Sequence, residues 1–166
     1  MRFKMNRLAL LAAVIVAAAG NLLATDPSGF TSTTVAKGQI GSFDASSYLV
    51  KDNGKLWLSF EKTIGKSDGY VLSNVWQPGG STGWHTHPSY TLVIVTAGTI
   101  TRYEAHDPSC TPRVYTAGMA FVELGGAHVH IVRNEGNVEA DAIAVRLVPA
   151  GQPGRIDAPD PGNCHF

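Results

Sequence analysis

Six histidines stand in the chain, and four of them form two His-x-His pairs, His85-Thr86-His87 and His128-Val129-His130. Side chains on a strand alternate between faces, so residues two apart point the same way. Each pair therefore sets two imidazoles on one face of a strand. A curved sheet with that face inward brings the two pairs together across its interior. Imidazole is a ligand for Fe, Mn, Ni, Cu and Zn. The spacing predicts a site for one divalent transition metal, with substrate or ligand a small molecule. His106, in an Asp-Pro loop, and His165, the penultimate residue, are read as solvent-exposed.

Elements that could position such pairs follow from the rest of the chain. Of 166 residues only 16% are charged, while 18 are Gly and 9 are Pro. An average soluble domain has about 25% charged residues and about 12% Gly plus Pro. This composition argues against disorder, a coiled coil or a helical bundle, and suits short strands joined by tight turns. About eight such segments recur at a spacing of roughly 8–12 residues: 55–64, 70–77, 91–96, 99–105, 113–116, 120–123, 129–133 and 140–148. Turn signals such as Pro78-Gly79-Gly80, Ala97-Gly98 and Gly125-Gly126 separate them. No segment beyond residue 24 sustains a helical apolar period. The expected fold is therefore all-β, a sandwich or barrel over 55–149. Residues 20–54 would form an N-terminal extension with one or two edge strands. Residues 150–166 would be an extended surface tail.

The first residues read as an export signal. Arg2, Lys4 and Arg7 precede an apolar run over 8–19 and the small residues Ala17-Ala18-Ala19-Gly20. That order describes a secretory signal peptide over 1–19, although a cut after Ala24 also fits. The run is short of the roughly 20 residues that span a membrane, so an uncleaved N-terminal anchor is the weaker reading. Cleavage leaves 10 basic against 13 acidic side chains, a net charge of −3. The mature protein then lacks both a membrane span and the basic field that nucleic acid requires. In an oxidising compartment the two cysteines, Cys110 and Cys164, are expected to pair. Their Asp-Pro turn contexts place them at the surface. Such a bridge would contribute about 4 kcal/mol by restricting the unfolded chain.

The histidine segments resemble the two motifs of the cupin superfamily. The stretch from Gly79 through His85-x-His87 to Gly98 is similar to G-x5-H-x-H-x3,4-E-x6-G. The stretch from Gly118 through the histidines to Asn134 is similar to G-x5-P-x-G-x2-H-x3-N. The chain looks most like small secreted single-domain cupins, and the resemblance implies one jelly-roll β-barrel. Two departures stand out. The position of the motif's Glu falls on Thr91, so the usual carboxylate ligand is missing there, and Leu124 replaces the second motif's Pro. One extra residue also follows Gly126. Counting from Gly125 selects His128 as the third ligand, and counting back from Asn134 selects His130. The intact H-x3-N spacing favours His130. His128 then stands as a fourth ligand or as an acid/base group behind the ligands.

A three-histidine site leaves a divalent metal its full charge and open positions for substrate. An anionic, chelating ligand such as an enolate, carboxylate or catecholate suits that charge. The resemblance implies a metal-dependent oxidoreductase, with dioxygenases among cupins of this ligand set. The alternative is a non-catalytic extracytoplasmic module that binds a metal or small ligand, because fold alone does not fix activity. Glu123 is read as an exposed rim charge or as a group that orients an imidazole. Thr91 is a further candidate behind the ligands. Tyr90 and Trp84 flank the first pair and are read chiefly as packing. The resemblance also implies a homodimer, since many cupins associate through edge strands.

Overall fold

The structure, a computed structural model, describes residues 24–51 and 53–166. The expected signal peptide over 1–19 lies outside them, as does Asp52. Twelve strands form in chain order: β1 Ser28–Ile40, β2 Phe43–Val50, β3 Leu56–Thr63, β4 Ser67–Ser81, β5 His85–Thr86, β6 Thr91–Ala97, β7 Thr99–Glu104, β8 Arg113–Thr116, β9 Ala120–Glu123, β10 His130–Arg133, β11 Ala140–Pro149 and β12 Ile156–Asp157. Ten of them make one sheet that curls into a jelly-roll barrel, all of its pairings antiparallel. The fold is all-β, and no helix is present among the described residues.

Alternation builds the barrel. On β6 the side chains of Thr91, Val93 and Val95 are buried, and Ile94 between them is exposed. On β11 Ala140, Ala142, Ala144 and Val148 face inward. The three alanines meet Val93 and Val95 of β6, Leu72 and Trp76 of β4, Ile100 of β7, Phe121 of β9 and Val132 of β10 in one core. Each large side chain so buried contributes about 1.5–3 kcal/mol. Gly98 turns β6 into β7 at φ +68°, a conformation open to glycine. A Cβ there would lie 2.6 Å from the Glu139 carbonyl.

The structure corrects three expectations about where the barrel begins and ends. Segment 55–64 does not belong to it: β3 pairs only with β2, in a separate two-stranded hairpin. The N-terminal segment does belong, because β1 runs along β4 from Ser28 to Ile40. The tail is not a loose surface strap. Its β12 pairs with β5, joining Ile156 to Thr86 and Asp157 to His85. Ala158 and Cys164 are buried with Trp84, Tyr103 and Ile131. Apolar residues in the tail outweigh its prolines here, because β5 offers an unpaired edge and Trp84 an uncovered ring. Cys110 and Cys164 are joined by a disulfide across 54 residues, with Cα atoms 5.3 Å apart. That bridge ties the tail to the barrel. Cys164 is buried, contrary to the surface location that its turn context suggested.

Candidate metal centre

Gly83, at φ +67°, ends the long strand β4 and delivers the two-residue strand β5. β5 is held on one side by β10, with His85 opposite His130, and on the other by β12. His85 and His87 leave this segment with Thr86 between them, and the Thr86 hydroxyl donates to the Gly126 carbonyl. The three rings of His85, His87 and His130 converge, with centroids 4.5–5.3 Å apart. Glu123, at the end of β9, adds its carboxylate. One ligand atom from each of these four buried residues lies within 4.8 Å of all the others.

Backbone carbonyls fix the rings. Nδ1 of His85 faces the Gly83 carbonyl at 2.9 Å, and Nδ1 of His130 faces the His128 carbonyl at 3.1 Å. A carbonyl oxygen only accepts, so each Nδ1 must carry the proton and each Nε2 presents a lone pair. Nδ1 of His87 faces the Gly154 carbonyl at 2.8 Å and the Arg146 guanidinium at 3.2 Å. The carbonyl is the nearer of the two, and Arg146 donates to it as well. His130 is 0% exposed, and its Nε2 lies 3.2 Å from Glu123 Oε1 with no hydrogen-bond donor facing it. Glu123 Oε2 lies 3.0 Å from His87 Nε2. The His130 lone pair thus faces a carboxylate oxygen in a buried space, beside a His87–Glu123 contact of hydrogen-bond geometry. Only a cation between them, a proton or a metal, relieves that arrangement.

The charges point the same way. Burial pushes the His85 imidazole well below its ordinary range, with the neighbouring His130 adding to the effect. A ring held neutral is the form that ligates. Burial pushes the Glu123 carboxyl up, but attraction to His130 and His87 outweighs it and holds the group well below the usual carboxylate range. Glu123 is therefore an anion in a dry site.

Several expectations are revised here. His128 does not join the cluster. It is exposed, and its ring faces His106 with centroids 6.2 Å apart. The alternation argument does not reach it, because β10 starts at His130 and residues 127–129 are not in a strand. Its backbone carbonyl, not its imidazole, contributes to the site. Glu123 is not a rim charge but a buried partner of two imidazoles. Thr91, where the motif's Glu would stand, is its direct cross-strand partner in the register of β6 and β9. The carboxylate is thus supplied from the neighbouring strand, and the site does not lack one. The Thr91 hydroxyl is buried without a partner. The missed functional residues are Arg146 and the tail backbone at Gly154. For Arg146 a signal existed: it is the next inward position after Ala140, Ala142 and Ala144, a charge on the buried face of an apolar strand. His106 and His165 are exposed, as read from their loops.

Gly79, His85, His87 and Gly98 of one motif, and Gly118, His130 and Asn134 of the other, thus surround a single barrel interior. Asn134 is buried, and its amide donates to the carbonyls of Trp76 and Val138. The barrel is a jelly roll that brings these motif residues to one site, as the resemblance to cupins implies. Solved structures similar to this barrel include an oxalate oxidase, 24% identical with a TM-score of 0.45, where the match covers 53% of this chain and 45% of that one. A protein with a double-stranded β-helix domain from Klebsiella pneumoniae is 22% identical, with a TM-score of 0.46 and coverage of 54% and 74%. A predicted oxalate decarboxylase from Thermotoga maritima is 17% identical, with a TM-score of 0.41 and coverage of 52% and 83%. This chain spans less than half the length of the oxalate oxidase. No family model matches the sequence, and no curated relative matches it.

Proposed function

We propose that this cupin is an exported metal-dependent protein. His85, His87, His130 and Glu123 hold one divalent transition metal (Fe, Mn, Ni, Cu or Zn) and leave positions open to a small anionic substrate. The observation that carries this reading is the buried His130 Nε2, whose lone pair faces a carboxylate oxygen at 3.2 Å with no donor between them. Four converging nitrogen and oxygen donors suit borderline divalent ions. The metal would supply Lewis acidity or redox chemistry to the bound substrate. The protein's own residues hold the rings in one tautomer, exclude water behind them and set the local charge.

The reaction class is that of an oxidoreductase, a dioxygenase in the first instance, which is what the likeness of the motifs implies. The test is oxygen uptake by Fe(II)-loaded protein over a panel of β-diketones, catechols, small thiols and carboxylates. Uptake with one class supports the enzyme. Stoichiometric binding without turnover across the panel makes the chain a ligand-binding module instead. Export is supported by the Cys110–Cys164 disulfide. No helix among the described residues is long and apolar enough to cross a membrane.

A second copy of the chain is the proposed partner of the outer barrel face. There Ala36, Val71, Val145, Leu92 and Val122 stand in one cross-strand row over five strands. An apolar groove joins that row to the base of the hairpin at Phe43. On the hairpin the exposed Leu49 and Trp57 share the face of Phe43 and continue this apolar surface. Light scattering tests it: a dimer that Val145→Lys converts to monomer supports the proposal, and a monomeric parent overturns it.

A further inference from the structure

The cavity beside the four ligands has two unlike ends, and this difference bears on what it binds. It encloses about 330 Å³. At about 30 Å³ per water, that is room for roughly ten waters, much more than a two-carbon acid fills. One end carries His85, His87, Glu123 and Arg146. The other is walled by Phe30, Leu72, Val93, Phe121, Val132 and the Trp76 ring, with the polar Ser32, Thr34 and Asn74 among them.

Arg146 is the unassigned group. Its companion on the cavity wall, Arg155, is already committed, with Nε donating to Asp157 at 2.5 Å and NH2 to the Thr82 carbonyl at 2.7 Å. Among the described residues Arg146 has no carboxylate partner. Its guanidinium donates to the Gly154 carbonyl, and its Nε is buried without an acceptor. Glu123 attracts it from across the site without touching it, and a half-buried cation with no carboxylate in direct contact, on the wall of a cavity, is a place for an anion. Glu123 offsets one unit of charge on a divalent metal, and Arg146 restores it.

We propose that the site takes a monocarboxylate with an apolar, ring-sized body. The carboxylate lies between the metal and Arg146, and the body packs against Phe30, Leu72, Val93, Phe121 and Val132. This specificity rests on the metal reading above and extends it to a substrate class. It disfavours a short dicarboxylate such as oxalate, whose adjacent carboxylates both stay at the charged end and gain nothing from the apolar walls.

Calorimetry on the full exported chain tests it, with metal content measured on every sample. The probes are 4-phenylbutanoate, oxalate and the neutral 4-phenylbutan-1-ol, titrated into Zn(II)-loaded and metal-free protein. Phenylbutanoate is expected to bind at least about 10-fold tighter than oxalate, from burial of the ring. It should also exceed the alcohol by about 10-fold, from the charged hydrogen bonds. Arg146→Gln should remove the preference for acid over alcohol, and Arg146→Lys should keep part of it. Loss in both variants would mean that Arg146 acts only through Gly154, which overturns the proposal. Val93→Phe should narrow the apolar end and weaken phenylbutanoate more than oxalate at equal metal content, and an equal fall for both overturns the proposal. Oxalate binding as tightly as phenylbutanoate to metal-loaded protein overturns the substrate class and leaves the metal reading intact. Failure to take up any metal overturns that reading. The metal-free titration then judges Arg146 alone, and no preference for acid over alcohol there overturns the proposal as well.

Discussion

The barrel strands and the β2–β3 hairpin carry the same kind of sequence and meet different fates. On β6 and β11 alternate residues point inward, apolar and buried except for Thr91 and the half-buried Arg146, and the inner face makes the core. On the hairpin Tyr48, Val50, Leu56, Leu58 and Phe60 also alternate and face one another across the strands. Yet they stay in water, with Tyr48 77% and Phe60 71% exposed. A two-stranded hairpin has nothing behind either face. The lesson is that period-2 patterning identifies a strand and its sides, while burial depends on whether a second layer covers them.

That contrast can be broken by substitution. Trp76→Ala in the core should cost about 3–5 kcal/mol and Ile100→Ala about 2–5 kcal/mol in chemical denaturation, from lost contacts plus the cavity left behind. Removing the disulfide with Cys110→Ser and Cys164→Ser should cost about 2–4 kcal/mol. The loss should appear first as raised hydrogen exchange in β12 and Ala158, the tail segments that the bridge holds down. On the hairpin, Phe60→Ser should cost less than about 0.5 kcal/mol in dilute monomeric protein. A hairpin effect as large as that of Ile100→Ala would mean that the exposed face is covered in solution.

The smallest effect concerns the join between the two regions. The Tyr90 hydroxyl donates to Glu61 at 2.6 Å. That hydrogen bond, with burial, pushes the phenol up to about 12 from its ordinary value of 10. The phenol donates only while protonated, and its folded value is raised. The link is therefore complete below pH 10 and lost as pH rises through 12. Tyrosine absorbance should show two late-titrating phenols, Tyr90 and Tyr103, of which Tyr90→Phe removes one, with hairpin exchange rates rising over the same interval.

The sequence shows the barrel and three of its site residues for definite reasons. His85 and His87 are marked by their spacing, and His130 by its distance from Asn134. Gly98 and Gly83 mark turns that need a positive φ. What stayed hidden depends on pairing between distant strands. Glu123 looks like a strand-end charge until the register of β6 and β9 sets it opposite Thr91. His128 looks equivalent to His130 until the strand start at His130 breaks the alternation. Arg146 was visible only as a charge out of pattern, and the Gly154 carbonyl has no side-chain signature at all. The tail's place was concealed because its prolines and glycines describe local conformation and say nothing of the edge it pairs with.

The central claim is that His85, His87, His130 and Glu123 form one metal site and that His128 stands outside it. Elemental analysis of variants purified side by side, after incubation with Fe(II), Mn(II), Ni(II), Cu(II) and Zn(II), tests it most directly. The expected result is one metal per chain in the parent and in His128→Ala, with metal lost from His130→Ala and sharply reduced in Glu123→Gln. Metal retained by His130→Ala and lost from His128→Ala would contradict the assignment, and a parent without metal under every condition would contradict the site itself.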